Sequence, residues 1–365
     1  MSAQIDTTAD GAVRFAGRER KRWWGIGNQI TDPYDVDQSL REALLNFRYE
    51  VRGNSVELMQ ELERADNDGA VSKYRSFGPA PSRYNRSIIK AEHGQPDIEL
   101  GGCGTRWHPH QPGDILEFFQ RVSSKVGGGL QMNTAGSLRR GGMIFAAAQF
   151  DKSIKVLDCE MVDMYLTGLT SIFGSTILGV TGIQVECANT AEYFVRQDTP
   201  RITYSHVAAL DVAAAVEAIG IVDLDAIARL LNRCAVIPFD AEQRGGFWQR
   251  SLLGDRPEPV RSVEKKRIDA ETMRPTTERV LNPAWLKFDR ERGEVRDCYR
   301  NGPGQELPSR DGTLFGAWSA VTDFCDHVRR STVAGRGASA LVGSGPDSIR
   351  AIKSRAMRAV VDLAA

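Results

Sequence analysis

The segment WHPH sets His108 and His110 two residues apart, the spacing that puts two imidazoles on one face of a strand. Two imidazoles can begin a metal site, but a structural zinc takes four ligands and His206 is the only further candidate nearby. No metal and no cofactor are therefore assigned, and histidines held by hydrogen bonds are the plainer reading. Cys187 and His206, with Asn189 close by, are the residue types of a nucleophile and its base. Cys187 also ends an apolar strand, where a small buried thiol is the ordinary finding. Neither GxSxG nor HExxH occurs. Gly127-Gly128-Gly129 and Arg139-Arg140-Gly141-Gly142 match neither the strand–GxxxxGK[ST]–helix pattern nor GxGxxG. They read as a helix stop and a hairpin corner, the glycines of the corner taking positive φ. No catalytic residue is assigned.

A different chemistry is written in KYRSFGPAPSRYNR. Lys73, Arg75, Arg83 and Arg86 alternate with Tyr74, Phe77 and Tyr84. Basic groups neutralise phosphates and aromatic rings stack on bases, at roughly 1–3 kcal/mol per base. The other reading is a solvated flexible loop. The whole chain carries 47 basic and 47 acidic residues, so no net charge points to nucleic acid. The charge is segregated, however: residues 71–90 and 121–140 contain no acid. The second of these ends in Arg139 and Arg140. With Trp107 as a further stacking ring, the candidate nucleic-acid-binding set is Lys73, Tyr74, Arg75, Arg83, Tyr84, Arg86, Trp107, Arg139 and Arg140.

These residues must be positioned by elements. Asp35 or Asp37 caps a helix bearing Leu40, Ala43, Leu44 and Phe47, and a second helix is expected from Asn54 to Leu62. Residues 67–84 read as a loop, TRWHPHQ as a strand, and ILEFFQRVSSKV as a helix opened by Pro112-Gly113-Asp114. Two strand pairs follow, around Arg139–Gly142 and around Phe173-Gly174-Ser175. Ile144, Phe145, Tyr165, Leu166, Ile183 and Val185 should supply their buried positions. Asn189 is expected to cap a helix TAEYFVRQ. Residues 207–290 read as mostly helical, 292–312 as a loop, and GTLFGAWSAVTDFCDHVRR and SIRAIKSRAMRAVVDLA as closing helices. Leu314, Trp318, Val321 and Cys325 form a stripe that packs within the chain or against another subunit.

The expected class is α+β: a central, mainly antiparallel sheet of four or five strands flanked by helices, with additional helical segments. Its divisions are an N-terminal helical segment (1–66), a basic and aromatic loop (67–100), an α+β core (101–206), a helical insertion (207–290) and a C-terminal helical segment (291–365). At 41% hydrophobic residues such a chain can bury a core. Six cysteines without CxxC spacing fit reduced thiols of a cytoplasm, and neither a signal segment nor a membrane span is visible.

The chain resembles the phage/plasmid-like family called domain of unknown function 932. RWWGIGNQ, GGCGTRWHPHQPGDILEFF, TAGSLRRGGMIFAAAQF, VECANTAEYF, ITYSHV and GTLFGAWSAVTDFCDH carry the likeness, in that order. The resemblance implies an intracellular protein of phage or plasmid origin and assigns no reaction. The expected function is a non-enzymatic single-stranded DNA binding, annealing or recombination accessory factor, with single-stranded DNA as partner and self-association open. The alternatives are an enzyme with a pocket near Cys187 and His206, and a phage–host interaction protein.

Overall fold

A computed structural model describes residues 6–8, 10–18, 27–32, 34–65, 71–125, 130–172, 175–185, 189–192, 203–220, 223–329 and 345–365; side chains between 54 and 85 fall outside it. The elements in chain order are β1 (Phe15–Gly17), β2 (Asn28–Gln29), α1 (Val36–Glu42), β3 (Phe47–Ala65), β4 (Val71–Glu92), β5 (Ile98–Cys103) and α2 (Pro112–Lys125). Then come β6 (Gln131–Leu138), β7 (Met143–Val156), β8 (Glu160–Ser171), β9 (Ser175–Gln184), β10 (Thr190–Glu192) and β11 (Thr203–Ser205). The rest is α3 (Val212–Gly220), α4 (Leu224–Val236), α5 (Ala241–Leu253), β12 (Ser262–Ile268), β13 (Pro275–Leu281), α6 (Pro283–Asn301), α7 (Leu314–Asp323) and α8 (Ile349–Ala364).

The class is α+β. The long strands β6 to β9 form an antiparallel meander, and short strands extend it to eight in the order β10-β9-β8-β7-β6-β1-β2, with β11 also on β9. The run MIFAAA that opens β7 is buried at every position, the pattern of a strand covered on both faces. Gly136 on β6 lies opposite Phe145, and a Cβ there would come within 2.7 Å of the Phe145 ring. Early β7, through Ile144, Ala146 and Ala148, packs with α1, α2 and α3. Late β7 and early β8, through Ile154, Val156, Val162 and Met164, pack with α4 to α8. Of the expected core residues, Ile144, Phe145, Tyr165 and Leu166 are buried, Val185 is exposed, and the Ile183 side chain lies outside the described residues.

Several expectations are corrected. Residues 54–62 are not a helix but part of β3. Val56, Leu58 and Leu62 alternate with Glu57, Glu61 and Glu63, and period two decides over the coincident four-residue spacing of Leu58 and Leu62. Residues 71–84 are not a loop but the first part of β4, paired with β3 from Ala65↔Val71 down to Phe47↔Glu92. Pro79 and Pro81 are tolerated because no third described strand pairs β4 there; among the described residues β5 joins it between Arg86 and Lys90. TRWHPHQ is not a strand: β5 ends at Cys103, and Pro109 and Pro112 lack the donors a ladder needs. Thr190–Glu192 is a strand on β9, so Asn189 caps no helix there. The charged stretch after α5 is the β12–β13 hairpin, and residues 292–301 continue α6. The stripe on α7 is internal, with Leu314, Trp318, Val321 and Cys325 all buried in this chain's own core, so it forms no subunit interface. Helix α7 runs on into a π turn over Phe324–Val328. Among the described residues no helix is long and apolar enough to cross a membrane.

Candidate nucleic-acid interface

The β6–β7 corner is a single 3₁₀ turn, Arg139–Gly141. Its backbone departs from the expected assignment. Gly141 is left-handed (φ +89°), but Gly142 is not, and both arginines are, at φ +55° for Arg139 and +61° for Arg140. A left-handed non-glycine residue costs roughly 1–2 kcal/mol. The surroundings hold the turn in place. The Tyr49 hydroxyl donates to the Gly141 carbonyl, and the Ile172 amide donates to that of Gly142 at 3.1 Å. A Cβ on Gly141 would lie 2.9 Å from Lys90 Cδ and 3.2 Å from the Phe47 ring, so that position needs glycine.

Beneath the turn is a closed ionic group. Lys90 Nζ sits 4.5 Å above the Phe47 ring and 3.4 Å from Asp6, while Arg14 binds Glu92 at 2.6 Å. Burial pushes the Lys90 ammonium below the usual lysine range, against the pull of Asp6. Arg139 and Arg140, by contrast, are exposed and make no ion pair with a described residue. Their charge has no ion partner among the described residues and is exposed to solvent.

The same end of the sheet carries an aromatic stack. His206 follows β11, whose Ser205 pairs with Ser175 at the start of β9. Its ring lies between Trp107 (4.8 Å) and His110 (4.6 Å). Both ring nitrogens face carbonyls, Nε2 that of Ser171 at 2.8 Å and Nδ1 that of His108 at 3.1 Å. Burial, the largest cause, pushes the imidazole below its ordinary pKa, and the two carbonyls pull the other way. Trp107 is half-buried, so part of the indole remains accessible. Because Ser171 pairs with Met143, directly after the arginine turn, Trp107, Arg139 and Arg140 gather at one end of the sheet.

His108 is exposed, and His110 is buried with its Nε2 2.9 Å from the Ala208 carbonyl. Among the described residues no three histidine, cysteine or acidic side chains gather as a metal would require. Cys187 lies outside the described residues, and Asn189 stands beside Gln184 at the far end of β9, nine strand residues or roughly 30 Å from the Ser175 end that leads to His206.

The side chains of Lys73, Tyr74, Arg75, Arg83 and Tyr84 lie outside the described residues, while their backbone belongs to β4. The register sets Glu63 opposite Lys73 and Glu61 opposite Arg75. The acid-free stretch of sequence is therefore matched across the hairpin by an acidic one. Arg86, opposite Cys103 of β5, is half-buried near the base.

Sequence reasoning missed a buried polar seam. Glu160 accepts from Ser309 Oγ and from Arg310 Nε, each at 2.9 Å, and also from Arg310 Nη2. Gln184 donates to Ser319 Oγ at 2.8 Å, and Asn189 Nδ2 lies 3.3 Å from Gln184 Oε1. Lys353 binds Asp326 of the π turn at 2.5 Å. The available signal was Ser319, Thr322, Asp323 and Asp326 inside an otherwise apolar helical stretch. Such polar residues on a buried face need partners.

Searches among curated proteins and among solved structures give no match. A family model, described as a domain of unknown function (DUF932), matches residues 99–361. The match starts at β5, so RWWGIGNQ and the β3–β4 hairpin precede it, while Trp107, the arginine turn, His206 and the polar seam all lie inside. With most of its length matched, the chain belongs to the DUF932 family.

Proposed function

We propose that this protein is a non-enzymatic nucleic-acid-binding factor that holds the backbone of a single strand at the Arg139–Arg140 turn. Its setting would be the annealing or recombination work of phage and plasmid genomes. One observation carries the reading: two adjacent arginines, exposed and without an ion pair among the described residues, occupy strained left-handed backbone in a turn pinned from beneath. Strain of this kind collects at sites that act on something else. Guanidinium groups suit phosphate because each can donate two parallel hydrogen bonds. Trp107 supplies a partly open ring at the same end for a base to stack on. Arg86 extends the contact along β4 toward Lys73, Tyr74, Arg75, Arg83 and Tyr84, where Glu61 and Glu63 reduce the net charge offered.

Filter binding of labelled single- and double-stranded DNA at two salt concentrations tests this. Single strands should bind, and R139A/R140A should weaken every sequence alike, flattening the slope of log K on log salt by about 0.7 per lost contact. No binding by the parent, or an unchanged slope in the double variant, overturns the reading.

A further inference from the structure

We infer that the cleft beside Trp107 is a guanine pocket, in which Glu117 and Arg121 read one base of the bound strand. The cleft lies between α2 and the segment from His206 to Val212, and encloses about 430 Å³. Small-molecule sites typically span about 300–1,000 Å³. His108 and His110 line its near wall. His110 stacks on the His206 ring, as Trp107 does, so the cleft continues the aromatic column. The 2.9 Å hydrogen bond between His110 Nε2 and the Ala208 carbonyl ties its two walls together.

Glu117 and Arg121 carry the inference. They stand one turn apart on α2, at the i, i+4 spacing where a glutamate and a following basic residue ordinarily pair. Both are exposed and both line the cleft, yet neither forms an ion pair with the other or with any described residue. Asp114, on the same face of α2, is already engaged: its carboxylate accepts from the Gln111 amide at 2.9 Å. Phe118 and Leu210 add an apolar wall. A carboxylate in the wall repels phosphate, so the cleft suits a base and not the strand's backbone. An ionised carboxylate only accepts hydrogen bonds, and its two oxygens suit two adjacent donors. Among the DNA bases guanine alone has two adjacent donors on its Watson–Crick edge, N1–H and the N2 amino group. Its O6 and N7 are the acceptor pair that arginine binds in a fork. Adenine and cytosine set an acceptor beside their single amino group, and thymine sets its one N–H between two carbonyls. Each of these turns a lone pair toward Glu117. A free carboxylate and a free guanidinium one helical turn apart therefore match one base. The inference rests on strand binding at Arg139 and Arg140, and gives that strand a base preference.

Filter binding of oligothymidine tracts carrying one central guanine, adenine or hypoxanthine decides it. The guanine tract should bind about tenfold more tightly than the adenine tract, whose purine stacks as well but offers the wrong edge. Hypoxanthine keeps O6 and N7 and lacks the N2 amino group, so its tract should fall most of the way to adenine. Glu117→Gln and Arg121→Met should each erase the preference for guanine over adenine. Both side chains are exposed, so thermal unfolding of the two variants should match the parent. R139A/R140A should weaken the guanine and adenine tracts alike and keep their ratio. Tracts bound without preference for guanine, or a preference that survives in both E117Q and R121M, overturn the pocket and leave the arginine turn standing. If no tract binds, the strand-binding reading falls and the pocket falls with it.

Discussion

The Tyr49 hydroxyl donates to the carbonyl of Gly141, joining the base of the β3–β4 hairpin to the turn that carries Arg139 and Arg140. Tyr49 is fully buried there, and its phenol is pushed up by burial and by Asp6. The bond links two parts of the chain that lie more than ninety residues apart in sequence, residues 49 and 141.

Tyr49→Phe removes the donor and leaves a buried carbonyl without it. An unsatisfied buried group costs about 1–3 kcal/mol. Denaturant unfolding should show that loss, and hydrogen exchange should show faster opening of the β6–β7 corner. Unchanged exchange at Gly141 and Gly142 would mean that the turn holds itself.

Arg310 and Glu160 are both fully buried, and Arg310 Nη1 also reaches the Pro303 carbonyl at 2.8 Å. Removing one partner of such a pair typically costs about 3–5 kcal/mol, because the other charge stays buried alone. Arg310→Met should therefore destabilise strongly by denaturant unfolding, and adding Glu160→Gln should recover part of the loss. A double variant no better than R310M would show that the charge of Glu160 is not what the arginine balances.

His206 makes stability depend on pH. Burial holds its folded-state pKa below the ordinary 6.5, so the unfolded chain binds the proton more readily. Stability contributed by the neutral ring is then full above pH 6.5 and falls as pH drops below it toward the lower folded value. The groups around the ring are His110, Trp107 and the carbonyls of Ser171 and His108. Unfolding free energies measured at pH 7.5 and 5.5 should diverge in the parent and converge in His206→Gln. An equal drop in both would move the effect to other groups.

The meander β6–β9 and helices α2, α7 and α8 were legible because glycine turns and helical spacing agreed with burial. The turn at Arg139 was found for its charge, but its conformation was assigned to the wrong residues: Gly142 is right-handed and the arginines are not. No local preference would place arginine there; contacts from β3 and β4, far off in sequence, impose it. The same distance hid the seam. Glu160 and Arg310 stand 150 residues apart, and nothing in either neighbourhood announces the other. The β3–β4 hairpin was misread for a local reason, since its prolines and glycines imitate a loop where an edge strand tolerates them.

The last prediction separates strain from service at the corner. Arg139 and Arg140 sit at φ +55° and +61°, where glycine pays no Cβ penalty. If the fold alone set these positions, glycine would be the better residue at both. Replacing them with glycine relieves roughly 1–2 kcal/mol per residue of left-handed strain, offset in part by about 0.5–1 kcal/mol of added unfolded-state freedom. R139G/R140G should thus be as stable as the parent or more so in thermal unfolding, while single-strand affinity falls as far as in R139A/R140A. The alanine variant keeps the strain and loses the charge, so it should match the glycine variant in binding and trail it in stability. Such a pattern is what a site kept for function at a cost in stability produces. A glycine variant that is less stable than the alanine one would show that the arginine side chains brace the turn, and the functional account of their conformation would fall.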